Sequence, residues 1–133
     1  MFEWHDDFSV DIGSIDAQHK TLFGIGNELY SAMLAGHSQL AMTRILDRLV
    51  QYTKMHFAHE ERLMQKHGYP GFKGHKAEHD ALSAKVLKFQ SDFQEGHVNL
   101  SVQLLQFLRG WLETHIKGSD QRYSPYLKNK AVA

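Results

Sequence analysis

The 133-residue chain carries 15 basic and 15 acidic side chains, ten histidines, two prolines, no cysteine and 42% hydrophobic residues. That length predicts one domain with its own core, and the lack of thiols excludes disulfides, iron–sulfur clusters, thiolate zinc sites and a cysteine nucleophile. Balanced charge without a basic run argues against nucleic-acid and anionic-membrane partners, and no apolar stretch approaches the roughly eighteen residues that span a bilayer.

The N-terminal segment holds Glu3, Asp6, Asp7 and Asp11 and lacks a basic start followed by an apolar run, so no signal peptide and a cytoplasmic location are expected. Its Phe2, Trp4, Phe8, Val10 and Ile12 predict an aromatic arm over 1–13 packed on the rest, because a disordered tail does not carry so many large apolar groups. Ser14 reads as the N-cap of a first helix, 14–35, with Asp16 in its first turn. The seam of that helix is Ile15, His19, Leu22, Gly26, Leu29 and Met33, with Phe23 and Tyr30 beside it. Gly24-Ile25-Gly26 falls inside the helix with no preceding strand, which makes it a packing feature and not a phosphate loop.

Gly36-His37-Ser38 breaks the pattern before a second helix, 38–67, with the seam Met42, Leu46, Leu49, Thr53, His56, Glu60 and Leu63. After Gly68-Tyr69-Pro70-Gly71 comes a third, 71–95, with Phe72, His75, His79, Leu82, Val86, Phe89 and Phe93. Gly96 and Asn99 precede a fourth, 99–117, with Leu104, Leu108, Trp111 and His115, and Gly118 and Pro125 mark a short C-terminal helical tail, 118–133. Alternating steps of four and three place each set on one helix face, and no stretch alternates as a strand does. With connections this short the prediction is an all-α, up-down-up-down four-helix bundle, a single domain over 1–133.

Six seam residues are polar: His19, His56, Glu60, His75, His79 and His115. Burying such groups costs several kcal/mol unless they are paired or bound to metal, so six together need a common cause. Asp120 lies five residues after His115, about 140° round a regular helix, and points inward only if the chain leaves the α path. Gly118 between them makes that departure cheap, through a left-handed turn or a π-type bulge. Taken singly the motifs are weak, since about 0.7 His-x-x-x-His pairs arise by chance at this histidine content. His5, His37, His67 and His97 fall in the arm or at breaks and read as solvated, whereas His59, three residues from His56, stays open as a ligand on spacing alone. Five imidazoles and two carboxylates are too nitrogen-rich for calcium or magnesium and too many for one tetrahedral zinc, so a dinuclear first-row metal centre is expected, iron first among the candidates.

The arm around Trp4 and Phe8, the run Ile15-Asp16-Ala17-Gln18-His19-Lys20, the block His56-Phe57-Ala58-His59-Glu60-Glu61, the pair His75 and His79, and the segment His115-Ile116-Lys117-Gly118-Ser119-Asp120 together resemble the hemerythrin family over almost the whole chain. The resemblance implies two iron ions bridged by Glu60, Asp120 and an oxo or hydroxo group, with His75, His79 and His115 on one iron and His19 and His56 on the other. The second iron is then one donor short, at the position where dioxygen binds. His59 matches no family ligand. Leu22, Phe57 and Trp111 are expected to form an apolar wall that keeps water and protons from the dioxygen pocket. The implied function is reversible oxygen binding for transport, storage or local delivery by a monomer that is not an enzyme, with an oxygen-consuming enzyme as the downstream partner. The competing reading is a di-iron enzyme that reduces dioxygen, peroxide or nitric oxide at the same site.

Overall fold

The computed structural model describes residues 2–36, 38–96 and 102–127, with the side chains of 102–104 outside that description. His37, His97, Asn99 and the Leu104 side chain, named above, therefore lie outside the described residues. After a 3-10 turn at Asp6–Phe8 the chain forms α1 (Gly13–Leu34), α2 (Gln39–Lys66), α3 (Phe72–Gln94) and α4 (Val102–His115). The winding widens to a π turn at Ile116–Asp120 and then continues as α5 (Gln121–Leu127), so the helical path runs through Gly118 where a break was expected.

Cross-helix pairs fix the directions. Ser14 meets His59 and Glu28 meets Arg48, which makes α1 and α2 antiparallel. Gln39 at the start of α2 reaches the Phe93 carbonyl at the end of α3, and His79 meets His115 while Lys85 lies over the Phe107 ring, so α3 is antiparallel to both of its neighbours. The bundle runs up, down, up, down. Gly36 and Gly68 follow α1 and α2 at φ +69° and +67°, the left-handed conformation that ends a helix and that a Cβ disfavours.

Local starts differ in part from the sequence reading. Ser38 caps α2 by accepting from the Ala41 N–H. Ser14, by contrast, sits inside α1, whose N-cap is Ile12 with no side-chain cap. The Asp16 carboxylate instead accepts from the Ser9 hydroxyl at 2.6 Å and the Val10 N–H at 2.9 Å, tying the arm to the first turn. Phe2, Phe8, Val10 and Ile12 are buried, and the Phe2 backbone exchanges two hydrogen bonds with the Asn27 side chain. The Phe2 ring fills the space above Gly26, where a Cβ would lie 2.7 Å from it.

The interior is stratified. One apolar cluster gathers Leu22, Phe23, Leu29, Leu46, Leu49, Phe57, Leu82, Leu105 and Leu112, and a smaller one at the other end holds Val10, Ile12, Ile15, Met64, Tyr123 and Leu127. On α1 the order Ile15, His19, Leu22 crosses from the small cluster to the large one, and on α2 Met64, Glu60, Phe57 does the same. A polar layer thus lies between two dry ones. No helix among the described residues is long and apolar enough to cross a membrane.

Candidate metal centre

All seven predicted donors are buried: His19, His56, His75, His79, His115, Glu60 and Asp120, none more than 5% exposed. α1 contributes His19, α2 His56 and Glu60 one turn apart, α3 His75 and His79 one turn apart, and α4 His115. Asp120 arrives through the π turn, whose extra residue per turn brings a side chain five positions beyond His115 back onto the same face. That turn forms without a left-handed residue, so of the two departures considered at Gly118 the chain takes the π form.

The donors fall into two overlapping groups, His75/His79/His115/Asp120 and His19/His56/Glu60/Asp120, with the ligand atoms of each group within 4.8 Å of one another. Each carboxylate divides its oxygens between the two sets of histidines. Asp120 turns Oδ2 to His19 Nε2 at 3.1 Å and Oδ1 to His75 Nε2 at 2.9 Å and His115 Nε2 at 3.1 Å. Glu60 turns Oε1 to His56 and His19 and Oε2 to His75 at 3.6 Å. His79 Nε2 faces His115 Nε2 at 3.0 Å, so all five imidazoles direct Nε2 into one space.

Whether metal fits can be judged from what the protein leaves unsatisfied. His19 Nδ1 and Nε2, Glu60 Oε1, His75 Nε2, His115 Nδ1 and both Asp120 oxygens are buried without a hydrogen-bond partner among the described residues. Several of these atoms face one another at ion-pair distance without forming a hydrogen bond, so the metal-free cluster is incompletely satisfied and cations would complete it. The donors suit a pair of divalent or trivalent ions in number, chemistry and placement.

The electrostatics of the metal-free cluster agree. Burial disfavours the imidazolium form of His19 and His75, but the carboxylates of Asp120 and Glu60 outweigh it and push both up to about 9. His79, buried and beside other imidazoles, is pushed down to about 3. Burial raises the carboxyls of Asp120 and Glu60, yet the surrounding histidines prevail and hold both well below the usual carboxylate range. Protons on His19 and His75 stand where metal charge belongs.

Several partners of the donors were not visible in the seam. His56 Nδ1 meets Gln18 Oε1 at 2.7 Å, and His79 Nδ1 meets Glu61 Oε2 at 2.9 Å, which fixes the tautomers that aim Nε2 inward. The Tyr123 hydroxyl, fully buried, donates to Glu60 Oε2 at 2.8 Å. Ser119 donates to Glu78 Oε2 at 2.5 Å, and that oxygen lies 3.8 Å from His115 Nδ1. The only sequence signal for Gln18 and Glu61 is adjacency, since each flanks a donor. His59 points away from the cluster, half-buried against the Ser14 hydroxyl, and belongs to neither group of donors.

The apolar candidates are distributed unevenly. Phe57 stacks on His79 with centroids 3.8 Å apart and lies 6.0 Å from His56, while Trp111 stacks on His115 at 4.4 Å. Both rings therefore pack against the three-histidine group. Leu22, one turn from His19, lines an apolar cavity of about 20 Å³ with Phe2, Leu49 and Leu112.

Comparison with known proteins follows the same lines. Residues 10–127 match the family model described as the hemerythrin HHE cation binding domain. The chain is 38% identical over 121 residues to bacteriohemerythrin of Methylococcus capsulatus, covering 91% of this chain and 92% of that protein. It is 36% identical over 128 residues to bacteriohemerythrin of Stenotrophomonas maltophilia, covering 96% and 82%. The crystal structure of wild-type hemerythrin is similar at a TM-score of 0.92 and 36% identity, covering 96% of this chain and 98% of that one. With the bundle, the seven buried candidate donors and these likenesses in agreement, the chain belongs to the hemerythrin family.

Proposed function

We propose that the protein reversibly binds dioxygen at a pair of iron ions held by His19, His56, Glu60, His75, His79, His115 and Asp120, for oxygen transport, storage or local delivery. The observation that carries this reading is the division of the Glu60 and Asp120 oxygens between two sets of histidines. Carboxylates so placed suit bridging of two ions, with a solvent-derived oxo or hydroxo group as the third bridge. Iron, when bound, supplies the reversible exchange of electrons with dioxygen. The set with two imidazoles offers one donor fewer, which leaves a place for dioxygen beside His19 and His56.

The rest of the chain serves reversibility. Gln18 and Glu61 hold imidazole orientation, and Tyr123 holds Glu60. Leu22, Phe57 and Trp111, in or against the large apolar cluster, exclude from that side of the layer the water and protons that promote irreversible oxidation. Two carboxylates supply little anionic support for high-valent iron, which favours binding over O–O cleavage and a protein that is not an enzyme. The working form is proposed to be a cytoplasmic monomer that hands oxygen to an oxygen-consuming enzyme.

The test is an oxygen cycle on anaerobically reduced, iron-loaded protein. One dioxygen should be taken up per two irons, with a visible absorption band that fades under argon and returns on re-exposure. Continuous oxygen consumption in the presence of a reductant, with no band that reverses, contradicts the carrier reading and supports an enzyme.

A further inference from the structure

Two cavities lie near the metal layer, and they differ in kind. One is an apolar cavity of about 20 Å³ within the large apolar cluster, bounded by Phe2, Leu22, Leu49, Leu82 and Leu112, of which Leu22, Leu82 and Leu112 stand one turn from His19, His79 and His115. On the side of the three histidines a cleft of about 320 Å³ opens to solvent, bounded by Tyr69, Gly74, His75, Glu78, Ser119 and Arg122. One proposed donor, the buried His75, bounds this cleft, and its Nε2 faces Asp120 Oδ1 at 2.9 Å on the way to the centre.

Glu78 spans the cleft from water to the buried layer. Its side chain is 47% exposed, yet Oε2 accepts from Ser119 at 2.5 Å and stands 3.8 Å from His115 Nδ1. It is placed behind the His115 ring, on the nitrogen opposite the one that faces Asp120, so it is not one of the donors of the centre. Resting on the di-iron reading above, we infer that this cleft is the route by which ferrous ions reach the centre, with Glu78 as the transient ligand that takes the ion from water.

The physical reason is desolvation. A divalent cation gives up hydration only where other oxygen ligands replace it step by step, and an apolar passage offers none. A cavity of about 20 Å³ walled by Phe2 and leucines suits a small apolar gas and rejects a hydrated ion. The cleft supplies the Glu78 carboxylate, the Ser119 hydroxyl and His75, and His75 in turn reaches Asp120, the carboxylate shared by both groups, which lies beneath the cleft. Among the described residues, Arg122 is the one basic side chain bounding the cleft, and it opposes an incoming ion and so sets part of the barrier. Iron therefore enters by the polar cleft and not through the apolar cluster.

The experiment follows anaerobic uptake of Fe2+, and of Co2+ as a coloured probe, by metal-free protein in stopped flow, together with loss of the ion to a chelator. Glu78→Gln should slow uptake and loss together by roughly fivefold or more while leaving two ions per chain and an unchanged affinity. Gly74→Phe tests the passage without touching a charge: a Cβ at Gly74 meets nothing within 4 Å, and the ring should obstruct the cleft and slow both rates in the same way. Arg122→Ala should accelerate uptake. The inference is overturned if Glu78→Gln and Gly74→Phe load at the wild-type rate, if Glu78→Gln lowers final stoichiometry, or if only narrowing the apolar cavity by Leu49→Phe slows loading. Fewer than two ions in the wild-type protein at saturation is a different failure, that of the di-iron reading itself.

Discussion

At the scale of single residues, the proposed donors stand out in the sequence because a helix returns a side chain to the same face every three or four positions. His19, His56, Glu60, His75, His79 and His115 each stand where an apolar residue belongs. Their partners Gln18, Glu61 and Tyr123 were not legible, since each meets its donor across helices or through the π turn. The raised imidazoles give a pH prediction. In the metal-free protein His19 and His75 contribute stability that is fully present below about pH 6.5, the unfolded value, and is lost as pH rises through about 9. Metal must displace those protons, so loading at pH 7.5 should release about two protons per chain from this pair, and little from it above about pH 10, as read by a pH-stat. By the same linkage apparent iron affinity should rise from pH 6 to 9, and iron retained unchanged against a chelator at pH 4 would contradict histidine ligation. Asp120→Ala should lose most of the iron, while His59→Ala, whose ring contacts Ser14, should keep iron content and spectrum near wild type. Tyr123→Phe removes a buried hydrogen bond to a carboxylate and should cost about 1–3 kcal/mol in denaturant unfolding without emptying the centre.

At the scale of elements, the four helices followed from their seams, whereas the junction after His115 was open between two geometries. A sequence shows that Asp120 is out of phase; it does not show which local winding restores the phase. The π turn does so through one added residue, and Gly118 within it has no positive φ and no close neighbour, its Cβ position lying 3.9 Å from Arg122 Nη2. Gly118→Ala should therefore keep full iron content, while deletion of Gly118, which returns the turn to α and rotates Asp120 off the face by about 100°, should abolish the second ion by metal analysis. The two glycines of α1 separate similarly. Gly26→Ala drives a methyl to 2.7 Å from the Phe2 ring and should destabilise by about 1–3 kcal/mol, whereas Gly24→Ala meets open space and should stabilise by about 0.5–1 kcal/mol, both measured by urea denaturation.

At the scale of the whole molecule, the bundle places a charged, partly unsatisfied layer between two dry clusters. Fold and function are coupled there: oxygens and imidazoles left short of hydrogen bonds in the metal-free protein are the proposed donors, so binding to the folded state alone should make iron loading raise Tm and chelation lower it. The four helices and the π turn bring the proposed donors into one layer of the bundle, with an apolar cavity in the large cluster and a polar cleft at His75. The most direct test of this account is iron-edge anomalous diffraction from crystals of the loaded protein. Two peaks are predicted, one within bonding reach of His75, His79 and His115 and the other of His19 and His56, with both reached by Glu60 and Asp120. A single peak, or a pair from which Asp120 or His19 is absent, would contradict it.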